Sequence, residues 1–313
     1  MVKISVLMAV HNGEPHVHSA IESILNQTFT HWEFIIIDDG STDGTLDLIN
    51  KYQKTDSRIK VFSIPRCGLT RALNVGLSNC TGQYIARLDA DDISLDSRLS
   101  LQHKWISSCE TNVLVGCRLI LKHGNNTVRR WTGEYPTNIV VLRRHLEFRN
   151  VFSHSSIMFC REIKGKRIFY DERFRYAQDY ELVTRLAKFG RISNMKDKLV
   201  VFQLGGDKYL REQKTSVVKV ALANKFPELD YLKDKSGVDF KLHLVGLSKN
   251  KCYAPDIKFL EFIHENATLV NTIRPVSWKL IWIFYRNYDL VWGRLLRGLN
   301  KVTRLKEILW KFH

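Results

Sequence analysis

Apolar positions follow two alternating rhythms through the first half of the chain. Ile4, Val6, Leu7, Met8 and Val10 form a short run over residues 3–10 that stops at the turn formers His11-Asn12-Gly13-Glu14-Pro15. Pro15 suits a helix's first turn, and Val17, Ile21, Ile24 and Leu25 then recur at helical spacing to about residue 27. The succession repeats with a strand at 32–37, a helix with apolar face Leu46, Leu48, Ile49 and Tyr52, a strand at 59–64, a helix at 69–80 and a strand at 84–88. Strands separated by helices of about a dozen residues need right-handed crossovers, so the pattern predicts an α/β fold with a doubly wound, mostly parallel sheet.

From Val113 the rhythm changes. Residues 114–121 and 126–132 read as two strands of an antiparallel hairpin, 135–148 as a helix with Pro136 in its first turn, and 150–159 as a loop entering another apolar strand. A helix headed by Asp179 carries Leu182, Val183, Leu186 and Phe189 and closes at Gly190, and a strand follows at 199–202. Beyond about residue 209 the pattern is helical, at 217–226, 229–247, 256–265 and from 276 onward.

Acids mark the ends of these elements. Asp89, Asp91 and Asp92 close the fourth strand, and like charges this near one another call for a divalent cation or a cationic substrate. If the strand continues, Asp89 and Asp91 project to one side, where they can grip a hard cation. The same stretch also fits an acidic turn in which Asp92 or Ser94 caps a helix at 94–109. Asp38 and Asp39 close the second strand in a turn-rich Asp-Gly-Ser-Thr-Asp-Gly run, and adjacent crossovers bring both acidic tips to one crevice. Asp179 at its helix head gains from the helix dipole, about 0.3–1 kcal/mol, which keeps it ionised as a general base requires.

These motifs in order resemble the inverting family 2 glycosyltransferases over roughly residues 3–206. Ser5-Val-Leu-Met-Ala9-Val-His11-Asn12-Gly resembles the family's opening strand and turn, and Ile35-Ile-Ile-Asp38-Asp39-Gly its second strand. Gly82-Gln-Tyr-Ile-Ala-Arg87-Leu-Asp89-Ala90-Asp91-Asp92 resembles the metal-binding motif, and Gln178-Asp179-Tyr180-Glu-Leu182 the helix start that bears the catalytic base. The resemblance implies a GT-A nucleotide-diphospho-sugar fold and a metal-dependent transfer of a hexose or N-acetylhexosamine from a uridine-linked donor to a glycan acceptor. It implies that Ala9, His11, Asn12, Asp38, Asp39, Asp89, Ala90 and Asp91 meet the donor, that Asp89, Asp91 and Asp92 hold Mn²⁺ or Mg²⁺, and that Asp179 is the base. Arg71 and Arg87 are candidates for the phosphates, and Trp131, His154 and Gln178 for the sugar and acceptor pocket. Three departures stand out: His11 at the usual Tyr of the opening turn, Gln178 for the usual Glu, and Gln203-Leu-Gly-Gly-Asp207 where a metal-ligating His is common.

Composition adds a direction. The 313 residues carry a net charge of +16 and a pI of about 9.6, a surface that attracts phosphates of nucleotides, nucleic acid or anionic lipid. Nine Lys/Arg against Asp289 and Glu307 fall within residues 274–313, interleaved with Trp278, Trp282, Trp292 and Trp310, as in an interfacial membrane anchor. Nucleic-acid module patterns are absent, and the first strand is not followed by the glycine fingerprint of a nicotinamide site. With no run of 18 apolar residues and an opening run too short for a signal peptide, the expectation is a cytoplasmic protein, peripheral on the inner face of the membrane. The six cysteines show no Cys-x-x-Cys pair and read as small hydrophobes in a reducing compartment. The expected organisation is a catalytic domain at 1–208, split into a nucleotide half (1–110) and an acceptor half (111–208), and a basic helical region at 209–313.

Overall fold

The structure, a computed structural model, describes residues 2–123, 126–127, 135–146, 150–174 and 176–203. Trp131, the domain boundary at 208/209 and the helices expected beyond it lie outside these residues. The first part of the chain runs β1 (Ile4–Val10), α1 (Val17–Leu25), β2 (Trp32–Asp39), α2 (Thr45–Thr55), β3 (Ile59–Ile64), α3 (Leu69–Asn79) and β4 (Tyr84–Arg87), as the apolar rhythm predicts. There follow β5 (Ile93–Ser94), α4 (Arg98–Ile106), β6 (Asn112–His123), β7 (Asn126–Thr127), α5 (Ile139–Leu146), β8 (Met158–Cys160), β9 (Glu162–Ile163), β10 (Lys166–Arg167), α6 (Gln178–Leu186) and β11 (Arg191–Gln203).

The main sheet has the order β3-β2-β1-β4-β8-β6-β11-β5, with β7 paired to β6. The chain moves outward from β1 to β2 and β3, then returns to the other side of β1 with β4, all four strands parallel. The order therefore reverses between β1 and β4, where open α/β sheets leave a ligand crevice beyond the strand C-termini. Every residue of β1 is buried, as a central strand covered on both faces requires. Period two divides it: Leu7 and Ala9 join Leu73, Leu77, Leu182 and Val183 on the face covered by α3 and α6, while Ile4, Val6 and Met8 join Ile21, Ile24, Ile49 and Leu99 beneath α1, α2 and α4.

The second half departs from the expected pattern in several places. β8 lies antiparallel between β4 and β6, so the parallel sheet is interrupted there. The helix expected at 94–109 begins only at Arg98 with Ser97 as its N-cap, because Ile93 and Ser94 pair with Val201 and Val200 of β11. Neither Asp92 nor Ser94 caps it. The helix expected at 135–148 starts at Ile139. α6 ends at Leu186, and Gly190 serves β11 instead, since a Cβ there would lie 2.4 Å from the Thr111 carbonyl oxygen. β11 extends well before residue 199; a register shift between Asn194 and Lys198 breaks the alternation that would have revealed it. Of the cysteines, Cys80 and Cys117 are buried as expected, whereas Cys67 is exposed.

A polar knot secures the edge of the sheet remote from the crevice. Glu33, at the start of β2, accepts Ser5 Oγ (2.6 Å), Thr81 N–H (2.6 Å) and Lys60 Nζ (2.8 Å). Burial would raise this carboxyl, but those donors outweigh it and hold it at about 2.

Candidate active site

The tips of β1 and β2 are bound to each other by their loops. Asn12 adopts a left-handed conformation (φ 53), its N–H donates to Ser41 Oγ (3.0 Å) and its Oδ1 accepts Thr42 N–H (2.9 Å). Gly13 N–H donates to Thr45 Oγ1 (2.9 Å), and the His11 ring sits 3.0 Å from the Asp39 carbonyl oxygen. Asp38 and Asp39, adjacent in a strand, point to different partners: Asp38 accepts Ser41 N–H and Ser63 Oγ, while Asp39 accepts the amides of Cys67 (2.7 Å) and Gly68 (3.0 Å). Gly40 permits this closeness, since at φ 64 a Cβ would fall 2.8 Å from Arg66 N. A Cβ on Gly13 would lie 3.7 Å from the Ala90 methyl, so the residues after β4 stand beside the β1 loop.

β4 stops at Arg87, so Asp89 and Asp91 are not placed by strand alternation as the sequence suggested. Ala90 and Asp91 form a turn, with Asp92 N–H donating to the Asp89 carbonyl (3.3 Å). Arg87 is fully buried and ion-paired to Asp89, which corrects its assignment to the phosphates: it lies beneath the acid. Ser155 fixes Asp89 from the other side, its Oγ donating to Oδ2 (2.7 Å) and accepting the Asp89 N–H (2.9 Å). Burial would raise the Asp89 carboxyl, but Arg87 and its hydrogen bonds outweigh burial and hold it below its ordinary value. Asp91 is exposed at the turn. Asp92 is 1% exposed and accepts Gln203 N–H (3.0 Å), tying the end of β11 to this turn, which corrects its assignment as a metal ligand. Burial and the charge of Asp89 push its carboxyl up to about 8.

Asp179 is the second residue of α6, whose N-cap Ala177 is left-handed (φ 60). Asn150 Nδ2 donates to its Oδ2 (2.8 Å). Burial pushes the Asp179 carboxyl up, outweighing the Tyr180 amide and Asn150, and the charge of Asp89 adds to the rise. The helix head alone thus does not set its protonation, contrary to the dipole expectation. The segment 150–155 reaches both acids, Asn150 donating to Asp179 and Ser155 to Asp89, although 90 positions separate the two in the chain. Gln178 is buried at the head of the same helix. His154 Nε2 lies 2.7 Å from Tyr170 Oη, and burial, reinforced by Arg87, lowers the imidazole to about 3, so the ring is neutral. Arg71 is largely exposed and donates to Glu172 (3.2 Å), joining the two halves. Ser155, Asn150 and Tyr170 are not among the residues singled out from the sequence; the run Asn150 to Ser156 ahead of an apolar strand was the only signal for the first two, and Tyr170 had none.

Among the described residues no three His, Cys, Asp or Glu side chains form a cage for a metal. A hard dication nevertheless fits here: Asp89 is held anionic, Asp91 is open to solvent, and magnesium-type ions are commonly bound by one or two carboxylates plus substrate phosphates.

A strand-order reversal with acids at its mouth places a candidate ligand site in the crevice of an open α/β sheet. The chain belongs to glycosyl transferase family 2, whose model matches residues 5–164. It is 28% identical over 253 residues to an uncharacterized glycosyltransferase of Haemophilus influenzae, covering 76% of this chain and 77% of that one. It is 34% identical over 185 residues to the O-antigen biosynthesis glycosyltransferase WbnJ of Escherichia coli, covering 58% of this chain and 71% of that one. Among solved structures, S. aureus TarS with UDP-GlcNAc superposes with a TM-score of 0.58 at 19% identity, covering 72% of this chain and 67% of that one. The Pyrobaculum calidifontis mannosyltransferase PcManGT with GDP-Man and Mn²⁺ superposes with a TM-score of 0.57 at 15% identity, covering 99% and 88%. The fold is GT-A.

Proposed function

We propose that the chain is a metal-dependent, inverting glycosyltransferase that moves a hexose or N-acetylhexosamine from a uridine diphosphate sugar to a glycan acceptor. One observation carries the reading: a single segment, 150–155, hydrogen-bonds Asp89 through Ser155 and Asp179 through Asn150, and the first carboxyl is held below its ordinary value while burial raises the second. Carboxyls pushed apart in this way take different chemical roles.

In this reading Ala9, His11, Asn12, Asp38 and Asp39 receive the nucleoside at the β1 and β2 tips, and Asp89, Ala90 and Asp91 meet the ribose and diphosphate. Asp89 and Asp91 would hold Mn²⁺ or Mg²⁺, which when bound supplies positive charge to the departing diphosphate. Asp179 takes the proton of the acceptor hydroxyl as that oxygen bonds to the anomeric carbon. The bond from that carbon to the diphosphate breaks on the opposite face, and its electron pair leaves with the nucleoside diphosphate. A single displacement inverts the centre, so an α-linked donor gives a β-glycoside. His154 and Gln178 stand beside the sugar and acceptor, with Arg87 and Ser155 keeping Asp89 in place and charged.

The acceptor is proposed to be a lipid-linked glycan of a surface polysaccharide such as lipopolysaccharide. WbnJ's role in O-antigen biosynthesis supports that class. The basic aromatic stretch 274–313 would hold the region 209–313 on the anionic cytoplasmic leaflet while residues 1–208 catalyse; among the described residues no helix is long and apolar enough to span a membrane. Membrane fractionation at low salt tests this: full-length protein is expected with the membranes, a chain cut before Arg274 free of them, and identical behaviour of the two contradicts it. The reaction is tested with a panel of sugar nucleotides. One donor turned over with Mn²⁺ and none with chelator is expected; no turnover of any donor overturns the enzyme.

A further inference from the structure

A group of contacts outside the reacting residues ties the donor side to the base. Asn74 on α3 closes on both backbone groups of Tyr170: its Oδ1 accepts the Tyr170 N–H (2.8 Å) and its Nδ2 donates to the Tyr170 carbonyl (3.0 Å). One helical turn earlier, Thr70 Oγ1 donates to the Phe174 carbonyl (2.9 Å), and Arg71 and Asn74 both donate to Glu172 (3.2 Å each). Residues i and i+4 share a helix face, so Thr70 and Asn74 dock the segment 170–174 along α3. That helix starts immediately after Gly68, whose amide donates to Asp39 (3.0 Å). The docked segment runs on to Asp179, and the Tyr170 hydroxyl meets His154, the neighbour of the Ser155 that fixes Asp89. Tyr170, 3% exposed, feels the charges of both Asp179 and Asp89.

We infer that Asn74 is a positioning residue: by holding the Tyr170 segment in register on α3, the helix whose leading Gly68 amide meets Asp39, it sets where Asp179 stands relative to the donor acids. The inference rests on the glycosyl-transfer reading above. Ordinary packing would make the same hydrogen bonds, so the test separates position from stability.

In full-length protein, with Mn²⁺ and the sugar nucleotide that the wild type turns over, Asn74→Ala is expected to lower kcat about 10- to 100-fold, the scale of a small misplacement of a reacting group. KM for the donor and binding of UDP stay within about threefold, because those contacts lie elsewhere. In an Asp179→Asn background the Asn74→Ala change costs nothing further, since it acts through that carboxylate. Thr70→Val, which removes one bond at almost constant volume, gives a smaller fall in kcat with the same unchanged KM and decides the matter if Asn74→Ala does not fold. Unchanged kcat, a loss of UDP binding in proportion to kcat, or an equal loss in the Asp179→Asn background overturns the inference. A wild type that turns over no sugar nucleotide fails before any variant is made and removes the parent reading with it.

Discussion

The two halves of the molecule hold their acids in opposite ways. In the first half, Asp38 and Asp39 are gripped by backbone amides, and Asp89 by a buried guanidinium and a serine. In the second half, the Asp179 side chain accepts one side-chain hydrogen bond, from Asn150, and burial dominates it. Arg87 and Ser155 thus hold Asp89 as an anion, while burial makes the Asp179 carboxylate readier to take a proton. A general base is more effective as its pKa approaches the working pH, so the looser setting of Asp179 suits its proposed task.

Asp179→Asn should break the contrast at its most sensitive point. Transfer is expected to fall about 10²- to 10⁴-fold, the usual worth of general-base catalysis, with UDP binding intact; a direct assay with labelled donor checks both. Asp89→Asn, besides weakening the proposed metal site, should act on stability. It leaves Arg87 buried without its partner, a change that costs about 3–5 kcal/mol in denaturant unfolding. Asp179→Asn, by contrast, removes an ionised group that the fold disfavours and should leave stability unchanged or raised. Both substitutions destabilising to the same degree would erase the distinction.

Glu33 provides a control far from the chemistry. Its folded pKa of about 2 lies below the ordinary 4.5, so its ionised form stabilises the fold above pH 4.5 and that contribution fades as pH falls through about 2. Glu33→Gln should cost about 2–3 kcal/mol at neutral pH, with the gap to wild type closing under acid. The smallest effect is expected from Asn150→Ala. The lost donor stabilised the ionised Asp179, so its pKa rises further and the acid limb of the rate profile moves to higher pH by about one unit. A shift to lower pH would show that Asn150 does not serve the anion.

Legibility followed the same division. The strands and helices up to Arg87 could be read because buried parallel strands carry unbroken apolar runs and each helix keeps a clear apolar face. The acids at the tips of β2 and β4 stood out for the same reason, as charge at the end of apolar sequence. Beyond residue 90 the signals are weaker. β5 is two residues paired to a strand over a hundred positions later, and β9 and β10 are joined by Lys164 and Gly165, both at positive φ, a turn with little sequence signature. The exposed Lys196, Asp197 and Lys198 at a register shift hid most of β11. Asp179 was legible as an acid at a helix head, but Asn150, Tyr170 and Asn74 were not, because their roles exist only through contacts about 30 or 100 positions away in the chain. Arg87 was read as a candidate phosphate contact since nothing in the order of residues says that Asp89 folds back over it.

The most direct measurement is a crystal structure of the full chain with UDP and Mn²⁺, the metal located by its anomalous scattering. The account predicts one Mn²⁺ between the diphosphate and the carboxylates of Asp89 and Asp91, the uracil beside Asp39, and the Asp179 carboxylate facing the same crevice. A nucleotide bound elsewhere, or an Asp179 that opens onto a different face from the bound diphosphate, would contradict it.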